Sequence, residues 1–239
     1  MILYNKEVLV IGGSSGIGLG IAQMAAQEGA NVHIASRSAD KLAEASQKIL
    51  GGCETHTVDL TDETTIAALM EEVGYLDHLL ISGGHVSTGS FLEVPTDVAR
   101  KQLEVIFWGK YLAAKYAAPR FAQGGSLTFI SGIYSHKPSP DAVILAASLS
   151  AVEGLGRALA VALAPLRVNS LAPAMVDTPL VMPDATPEER AGFLASIAGY
   201  LPVKTVGTPQ DIAQLALVLM TNPFMTGSTT LIDGGYTLV

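Results

Sequence analysis

The sequence predicts an α/β fold, a single domain in which a seven-stranded, parallel, doubly wound sheet carries helices on both faces. Three observations support this fold class. Short runs rich in β-branched residues alternate with longer segments of helical periodicity along the whole chain. The strand candidates are apolar on both faces, which is typical of parallel strands buried between helices. The 239 residues are 49% hydrophobic and contain no linker or repeat, so one domain over 1–239 is expected.

The predicted elements follow one another in a regular order. Strands are predicted at 7–11, 31–35, 54–58, 78–82, 126–131, 167–171 and 229–232. Helices are predicted at 16–28, 39–50, 62–73, 97–122, 142–164 and 209–221, with capping-type residues before three of them at Ser38, Thr61 and Thr208. The segment 178–202 interrupts the alternation, because it contains several prolines and is only weakly helical at 187–198. It is too long for a plain connection, so we predict a lid over a ligand.

Charge and cysteine content exclude several classes of protein. Lys plus Arg number 14 against 22 Asp plus Glu, so the net charge is −8, the wrong sign for a nucleic-acid partner. The single cysteine, Cys53, cannot form an intramolecular disulfide or a Cys-based zinc cluster, and no metal site is predicted. A reducing, cytoplasmic setting fits this cysteine usage. The chain reaches its first strand within a few residues, which leaves no room for a signal peptide.

The mean hydropathy of +0.39 raises the question of a membrane span. The most apolar stretch, 142–165, is interrupted by Ser148, Ser150, Glu153 and Arg157. It therefore never supplies the roughly 18 uninterrupted apolar residues that a spanning helix needs. We expect the apolar residues to form a buried core and predict no membrane partner.

A glycine-rich turn follows the first strand and runs into an alanine-rich helix. The turn consists of Gly12, Gly13, Ser14, Ser15, Gly16, Ile17 and Gly18. Glycines here let the backbone approach a pyrophosphate, whose charge then faces the N–H groups at the start of the helix. Because the turn lies between a strand and a helix, we predict a dinucleotide site rather than a tight turn alone.

The end of the second strand carries the residues that distinguish one dinucleotide from another. An acidic residue there would bind the ribose 2′-hydroxyl, whereas Arg37 between Ser36 and Ser38 suits a 2′-phosphate. The alternative is that Arg37 is a solvated surface charge. Asp59 and Leu60, just past the third strand, are placed at the adenine, where Asp59 is positioned to accept a hydrogen bond from the amino group. The pattern favours NADP(H) over NAD(H).

Taken together, these motifs resemble the short-chain dehydrogenase/reductase family over essentially the whole chain. Further matches are Asp77 before the fourth strand and the runs 167–173, 176–179 and 226–235. Two places depart from the family pattern: Ile11 stands where the glycine motif usually opens with Thr, and 81–84 read Ile-Ser-Gly-Gly instead of Asn-Asn-Ala-Gly. The departures affect local hydrogen bonds more than the fold. The resemblance implies a seven-stranded Rossmann fold, with further cofactor contacts from Gly83, Gly84, Pro173, Val176 and Thr178.

The resemblance also implies four catalytic positions, and other residues occupy all of them. The family uses a Tyr acid/base, a Lys four residues later, a Ser and an Asn. The run 151–155 matches the stretch that follows the family's Lys, which puts Leu149 at the Lys position and Leu145 at the Tyr position. Gly132 and Ile106 fall at the Ser and Asn positions. We therefore predict an atypical member without the Tyr-x-x-x-Lys motif, and general acid–base assistance usually contributes about 10²–10⁴ in rate.

Three polar residues near the predicted site are candidate catalytic replacements. Tyr134 could donate a proton, with His136 or Lys137 lowering its pKa. His85, after the fourth strand, is a second candidate acid, and Ser131 could orient a carbonyl from one step away. The alternative for the loop residues is an ordinary solvated position.

Two functions from different classes remain open. The first is an NADP(H)-dependent oxidoreductase that moves hydride to or from an apolar carbonyl, quinone or enone with a non-standard proton donor. The second is a catalytically silent NADP(H)-binding sensor or partner subunit. The fold and the predicted lid favour the enzyme and a small-molecule substrate. The resemblance further implies that the helices at 97–122 and 142–164 build a subunit interface, so a homodimer or homotetramer is expected.

Overall fold

The computed structural model describes residues 1–84 and 87–239, and its centre is one sheet of seven parallel strands. The strands are β1 (Glu7–Ile11), β2 (Asn31–Ser36), β3 (Glu54–Thr57), β4 (Leu76–Ile81), β5 (Phe121–Ile130), β6 (Arg167–Pro173) and β7 (Thr229–Ile232). Their spatial order is β3-β2-β1-β4-β5-β6-β7. The predicted fold class is confirmed, because every neighbouring pair of strands is parallel and helices connect the strands that follow one another along the chain.

Helices cover both faces of the sheet and divide the core in two. They are α1 (Gly16–Gln27), α2 (Ala39–Ser46), α3 (Glu63–Val73), α4 (Thr96–Leu103), α5 (Gly109–Ala117), α6 (Val143–Ala162), α7 (Pro187–Tyr200) and α8 (Pro209–Thr221). Buried residues of α1, α2 and α8 pack on one face, and those of α3, α5 and α6 pack on the other. Strands enclosed in this way need apolar residues on both faces, which explains their composition.

Two of the three predicted helix caps are confirmed. Ser38 accepts the Lys41 N–H at the start of α2, and Thr208 forms a reciprocal capping box with Asp211 on α8. The cap predicted at Thr61 is wrong. The next residue, Asp62, caps α3, while the Thr61 backbone N–H and hydroxyl both donate to Asp59.

The predicted helix at 97–122 is three pieces rather than one. The chain forms α4, then a π-helical turn at Glu104–Trp108, then α5, and the strand β5 already begins at Phe121. Pro119 lies in a short 3₁₀ turn after α5, because its ring and missing N–H do not fit a helix interior. The helix therefore ends earlier than its apolar periodicity predicted, and β5 starts five residues before the prediction.

By length and composition, α6 is the one helix in the described ranges that meets the criterion for a membrane span. Its most apolar 18-residue window has a mean hydropathy of 1.5, and a third of that window is buried in the protein. Core helices of soluble proteins satisfy the same criterion, so this finding is weak support for a membrane location.

Candidate active site

The strand order reverses between β1 and β4, and open α/β sheets bind ligands at the carboxyl ends of the strands at such a point. The glycine turn lies there. Gly12 has φ +85°, and a Cβ added to it would lie 2.7 Å from the Gly83 backbone nitrogen. A Cβ on Gly18 would lie 2.2 Å from the Gly12 carbonyl oxygen. Side chains at these positions would collide with backbone, so the close approach of the two loops depends on glycine.

The start of α1 faces this crevice with its backbone N–H groups. The N-cap residue Ser15 is exposed and makes no capping hydrogen bond through its side chain, which leaves the first turn open to an anion. Ser14 is half-buried beside it, and Ile17 packs on the core below. The Thr178 side chain lies 3.2 Å from where a Cβ on Gly16 would be. The structure therefore brings the segment after β6 against the glycine turn.

The ends of β2 and β3 form the neighbouring part of the crevice. The hydroxyl of Ser36 is buried and has no hydrogen-bond partner among the described residues, and Arg37 beside it is exposed. Hydrogen bonds from the Thr61 N–H and hydroxyl, helped by the nearby Arg37 charge, hold the pKa of Asp59 below its ordinary value. An unsatisfied hydroxyl, a guanidinium and an ionised carboxylate thus lie close together. Ser38 has an additional structural role as the α2 cap.

The other predicted cofactor residues line the same edge of the sheet. A Cβ on Gly83 would lie 2.8 Å from Leu60 Cδ1, so these two residues touch, whereas Gly84 is exposed with open space around it. Val176 is buried and pairs with Gly207 in an isolated bridge. Pro173 ends β6, and its carbonyl oxygen lies 3.9 Å from the Cβ position of Gly132. These residues therefore lie at, or just after, the carboxyl ends of β3, β4 and β6.

Three of the four positions that the sequence register assigned to catalysis carry hydrocarbon side chains, and the fourth is Gly132. Leu145 and Leu149 on α6 are buried, and Leu149 Cδ1 lies 3.1 Å from the Cβ position of Gly132. Ile106 is buried inside the π-helical turn, and π-bulges are frequent at functional sites. The fold brings Gly132 and Leu149 into contact, and neither residue can transfer a proton.

The hydroxyl of Ser131 is engaged by a buried carboxylate on α6. It donates to Glu153 Oε1 at 2.8 Å, and the Ser135 hydroxyl donates to the same oxygen at 2.5 Å. His136 Nε2 lies 3.1 Å from Glu153 Oε2. These contacts fasten the loop after β5 to α6, so the structure gives Ser131 and His136 a structural partner. Sequence reasoning treated Glu153 only as a polar interruption of an apolar helix.

Tyr134 is half-buried in the same loop and packs against the core cluster that contains Leu145 and Leu149. Burial raises the pKa of its hydroxyl, with a smaller contribution from nearby Tyr236. The expected help from Lys137 is absent, because that ammonium donates to the Tyr236 carbonyl at 2.9 Å and to the Val239 carbonyl. The prediction that Lys137 or His136 lowers the pKa of Tyr134 is therefore wrong: both groups are engaged elsewhere, and the pKa rises. His85 lies outside the described residues, and its role stays a prediction.

Lys110 is a residue that sequence reasoning missed. It lies on α5, buried, and its Nζ donates to the Ile130 carbonyl at 2.5 Å, where β5 ends. Burial lowers the pKa of this amine to about 7. Perturbed groups of this kind cluster at functional sites. A signal was present in the sequence, because Lys110 falls four residues after Ile106 and three before Ala113, on the apolar stripe of the helix.

The segment predicted as a lid contains a longer helix than expected and one clear anchor. The helix α7 begins with a capping box between Thr186 and Glu189. Arg190 donates to the Thr178 carbonyl at 2.9 Å, to the Val181 carbonyl at 3.2 Å and to the Asp177 carboxylate. This one guanidinium holds the start of the segment beside the glycine turn.

Comparisons with known proteins agree with this geometry. A family model described as enoyl-(acyl carrier protein) reductase matches residues 12–237. The short-chain dehydrogenase/reductase ATR9 of Stachybotrys chlorohalonatus is 30% identical over 98% of this chain and 97% of its own length.

Solved structures show the same fold throughout. A small-chain dehydrogenase in complex with NADPH superposes with a TM-score of 0.87 at 32% identity, covering 98% of this chain and 100% of that one. The MalC reductase/Diels-Alderase of Malbranchea aurantiaca gives a TM-score of 0.92 at 26% identity, covering 100% and 98%. With the family model and the relatives in agreement over nearly the full length, the chain belongs to the short-chain dehydrogenase/reductase family.

Proposed function

We propose that the protein is an NADPH-dependent oxidoreductase that reduces an apolar carbonyl, quinone or enone. The observation that carries the cofactor choice is the end of β2, where the buried, unpartnered Ser36 hydroxyl and the exposed Arg37 lie beside the ionised Asp59. A 2′-phosphate would satisfy the first two groups, whereas an NAD-specific site places a carboxylate there. The NADPH-bound relative supports the same choice.

The residues present fit the whole dinucleotide. The glycine turn and the α1 N-terminus would hold the pyrophosphate, and Arg37 with Ser36 would hold the 2′-phosphate. Asp59 would meet the adenine, and Thr178 with Val176 would lie towards the nicotinamide. The bound cofactor supplies hydride, and the protein's task is to orient the acceptor, exclude water and provide a proton.

The walls of the substrate region favour an acceptor with little charge. Leu145 and Leu149 present hydrocarbon where the family places hydrogen-bonding groups, and an apolar wall stabilises a developing alkoxide poorly. Quinones and enones spread the charge that hydride delivers, so they depend less on a strong adjacent acid. These two classes are therefore our first choice of substrate.

Tyr134 is the proton donor in this proposal. The phenol is protonated at neutral pH, as an acid for reduction must be, and burial raises its pKa further. The reverse reaction needs a phenolate, which the same burial disfavours, so the proposal runs towards reduction. Lys110, with a pKa of about 7, is the second candidate for proton transfer at this edge.

A silent NADP(H)-binding protein is the second candidate function. The observation that favours it is the engagement of Ser131 by Glu153, combined with leucines at the two helix positions. Such a protein would bind NADP(H) in the crevice but would not transfer hydride to a substrate. Turnover separates the two functions, because both predict the same cofactor affinity.

The cofactor is tested by titrating NADPH and NADH into wild type, Arg37→Ala and the matched control Arg100→Ala, which changes an exposed arginine on α4. We expect wild type to bind NADPH more tightly than NADH. Loss of charge-assisted hydrogen bonds worth about 1.5–3 kcal/mol should weaken NADPH binding roughly 10- to 100-fold in Arg37→Ala. NADH binding should change little in either variant. Equal weakening of NADH would show that Arg37 does not read the 2′-phosphate.

The chemistry is tested by screening carbonyls, quinones and enones for NADPH oxidation. Tyr134→Phe removes one hydroxyl, and we expect a loss of roughly 10²-fold or more in kcat for a carbonyl substrate. Tyr4→Phe, at an exposed tyrosine before β1, is the control. If the rate is unchanged in Tyr134→Phe and reduced in Lys110→Met, the proton donor is Lys110 rather than Tyr134. Tight NADPH binding without turnover on any substrate would favour the silent protein.

A further inference from the structure

Two buried histidines and three glutamates converge on the α3 face of the sheet, where β1, β2 and β3 lie side by side. His33 lies on β2, and Glu54 and His56 lie on the edge strand β3, where the register pairs His33 with Glu54. Glu7 on β1 and Glu72 on α3 complete the group. None of these residues belongs to the proposed cofactor site, which lies at the carboxyl ends of the strands.

We propose that His33, His56 and Glu54 form a binding site for a divalent transition-metal ion such as Zn²⁺. His33 Nδ1 is 3.1 Å from His56 Nε2 and 3.5 Å from Glu54 Oε2. The ligand atoms of all three residues lie within 4.8 Å of one another. Neighbouring ligands of a tetrahedral Zn²⁺ ion with bonds of about 2.0–2.2 Å are about 3.3–3.6 Å apart. The two separations from His33 Nδ1, 3.1 and 3.5 Å, are thus close to the spacing of such ligands.

Each histidine has a carboxylate behind its second nitrogen. His33 Nε2 is 3.1 Å from Glu7 Oε2, and Asn31 Nδ2 donates to the other oxygen of Glu7 at 2.7 Å. Glu72 Oε1 lies 3.1 Å from His56 Nδ1 but out of line, so this buried nitrogen lacks a hydrogen bond. The Glu72 side chain is 67% exposed and has room to rotate into line. A carboxylate that accepts the outer N–H is the usual support for a metal-binding imidazole.

The two facing nitrogens also suit a cation between the rings. Once Glu72 rotates into line, both outer nitrogens can donate to carboxylates, and His33 Nδ1 and His56 Nε2 then face each other as acceptors. The ring centroids are 5.4 Å apart and the nitrogens 3.1 Å apart, so two lone pairs would repel at short range unless a positive charge lies between them. A metal ion would satisfy both nitrogens and would also bind the Glu54 carboxylate, which lies 3.5 Å from His33 Nδ1.

The charge around the site has the sign that a cation requires. Within residues 1–84 and 87–239, no lysine or arginine lies within 4.0 Å of the carboxylates of Glu7, Glu54 or Glu72, whose ion-pair partners are the two histidines. Imidazole ligands favour Zn²⁺, Cu²⁺ or Ni²⁺ over Mg²⁺ and Ca²⁺, which prefer oxygen. The exposed side chain of Glu54 leaves the fourth position accessible to water. The ion would join the four-residue edge strand β3 to β2.

The test uses the full chain, stripped with a chelator and titrated with ZnCl₂ by calorimetry. We expect one saturable Zn²⁺ ion per chain and a rise in Tm with Zn²⁺, because the ligand binds the folded state. His33→Gln and His56→Gln should each weaken binding at least 100-fold. Since these positions are buried, Glu54→Gln at an exposed position provides a variant that should fold normally, and we expect at least a tenfold loss there. Glu44→Gln, an exposed glutamate on α2, is the matched control and should bind as wild type does.

Cobalt(II) substitution supplies an independent readout. We expect visible absorption typical of a low-coordinate Co²⁺ site in wild type and its loss in His56→Gln. Absence of saturable Zn²⁺ binding would overturn the proposal and leave the two imidazoles joined by a shared proton. Zn²⁺ binding that is as strong in Glu54→Gln and His56→Gln as in wild type would overturn the proposal as well, since the ion would then bind elsewhere.

Discussion

Lys110 is a buried amine whose only described hydrogen bond goes to the Ile130 carbonyl. Its pKa falls to about 7 because the charged form loses its hydration. Between pH 7 and about 10, the unfolded chain therefore holds a proton that the folded protein has released. The free energy of unfolding must rise with pH over this window.

The first prediction compares wild type with Lys110→Met. Wild type should gain about 2 kcal/mol of stability relative to the variant between pH 7 and pH 9, measured by urea unfolding. Lys101→Met, at an exposed lysine on α4, should follow the wild-type pH profile. Parallel profiles for wild type and Lys110→Met would show that Lys110 keeps an ordinary pKa.

Gly18 provides a second prediction at the scale of one residue. A Cβ there would lie 2.2 Å from the Gly12 carbonyl oxygen, so Gly18→Ala must push the glycine turn apart. We expect a loss of about 1–3 kcal/mol in stability and at least a tenfold loss in NADPH affinity. Gly192→Ala on α7 has open space around it and should be neutral or slightly stabilising. Unchanged NADPH affinity in Gly18→Ala would contradict a pyrophosphate at this turn.

At the scale of elements, β4 and β5 are joined by a buried polar pair in the middle of the sheet. His78 Nδ1 lies 2.8 Å from the Ser126 hydroxyl, and the register places the two residues side by side. Burial lowers the pKa of His78 to about 4, against the nearby Asp77 charge that opposes the shift. The unfolded chain binds a proton near pH 6.5, whereas the folded protein binds it at His78 only near pH 4. The free energy of unfolding therefore falls as the pH falls from 6.5 to 4.

The third prediction tests this pair with His78→Asn, which keeps a hydrogen-bonding group and removes the titration. Between pH 7 and pH 4, wild type should lose roughly 3 kcal/mol relative to the variant, by the linkage of about 1.4 kcal/mol per pKa unit. Chemical unfolding at several pH values measures the difference. A constant difference across this range would mean that His78 titrates normally.

The fourth prediction concerns the segment before α7. Arg190 binds the carbonyl oxygens of Thr178 and Val181, so Arg190→Met should release 178–186 while the two cores remain intact. We expect faster hydrogen exchange at the Val181 N–H, which donates to the Thr178 carbonyl, and little change in Tm. Glu188→Gln on the same helix is the control. Unchanged exchange in Arg190→Met would show that other contacts hold the segment.

At the scale of the whole molecule, exposed apolar groups lie on α5, on the turn before it and on α6. Trp108 and Tyr111 are exposed beside α5, and Val143 and Val161 are exposed on α6. Burying them against a second copy would remove this apolar surface from water. We propose that the protein is a homodimer or homotetramer through α5 and α6, as the family resemblance implies.

The fifth prediction follows from this interface. Light scattering should give two or four times the chain mass of 24.8 kDa for wild type, and Tyr111→Glu should shift the mass towards one chain. Leu50→Glu, at an exposed leucine between α2 and β3, should leave the mass unchanged. A monomeric wild type would contradict the proposal.

Much of the cofactor crevice could be predicted because its signals are local in sequence. The run from Gly12 to Gly18 carries its own turn, and Ser36 and Arg37 follow directly on a strand. The substitute catalytic groups were harder to predict, because their behaviour depends on partners far along the chain. Lys137 turns to the carbonyls of Tyr236 and Val239, about a hundred residues away, rather than to Tyr134.

The sequence by itself determined the α/β class, the order of strands and helices and the glycine turn, because periodicity and turn chemistry depend on neighbouring residues. Only the tertiary structure decided what is buried with what. It placed Lys110 under the end of β5, engaged Ser131 with Glu153 and brought His33, Glu54 and His56 to one point. Those outcomes depend on the pairing of distant strands, and the free energy of a buried charge or ligand cluster is set by that packing.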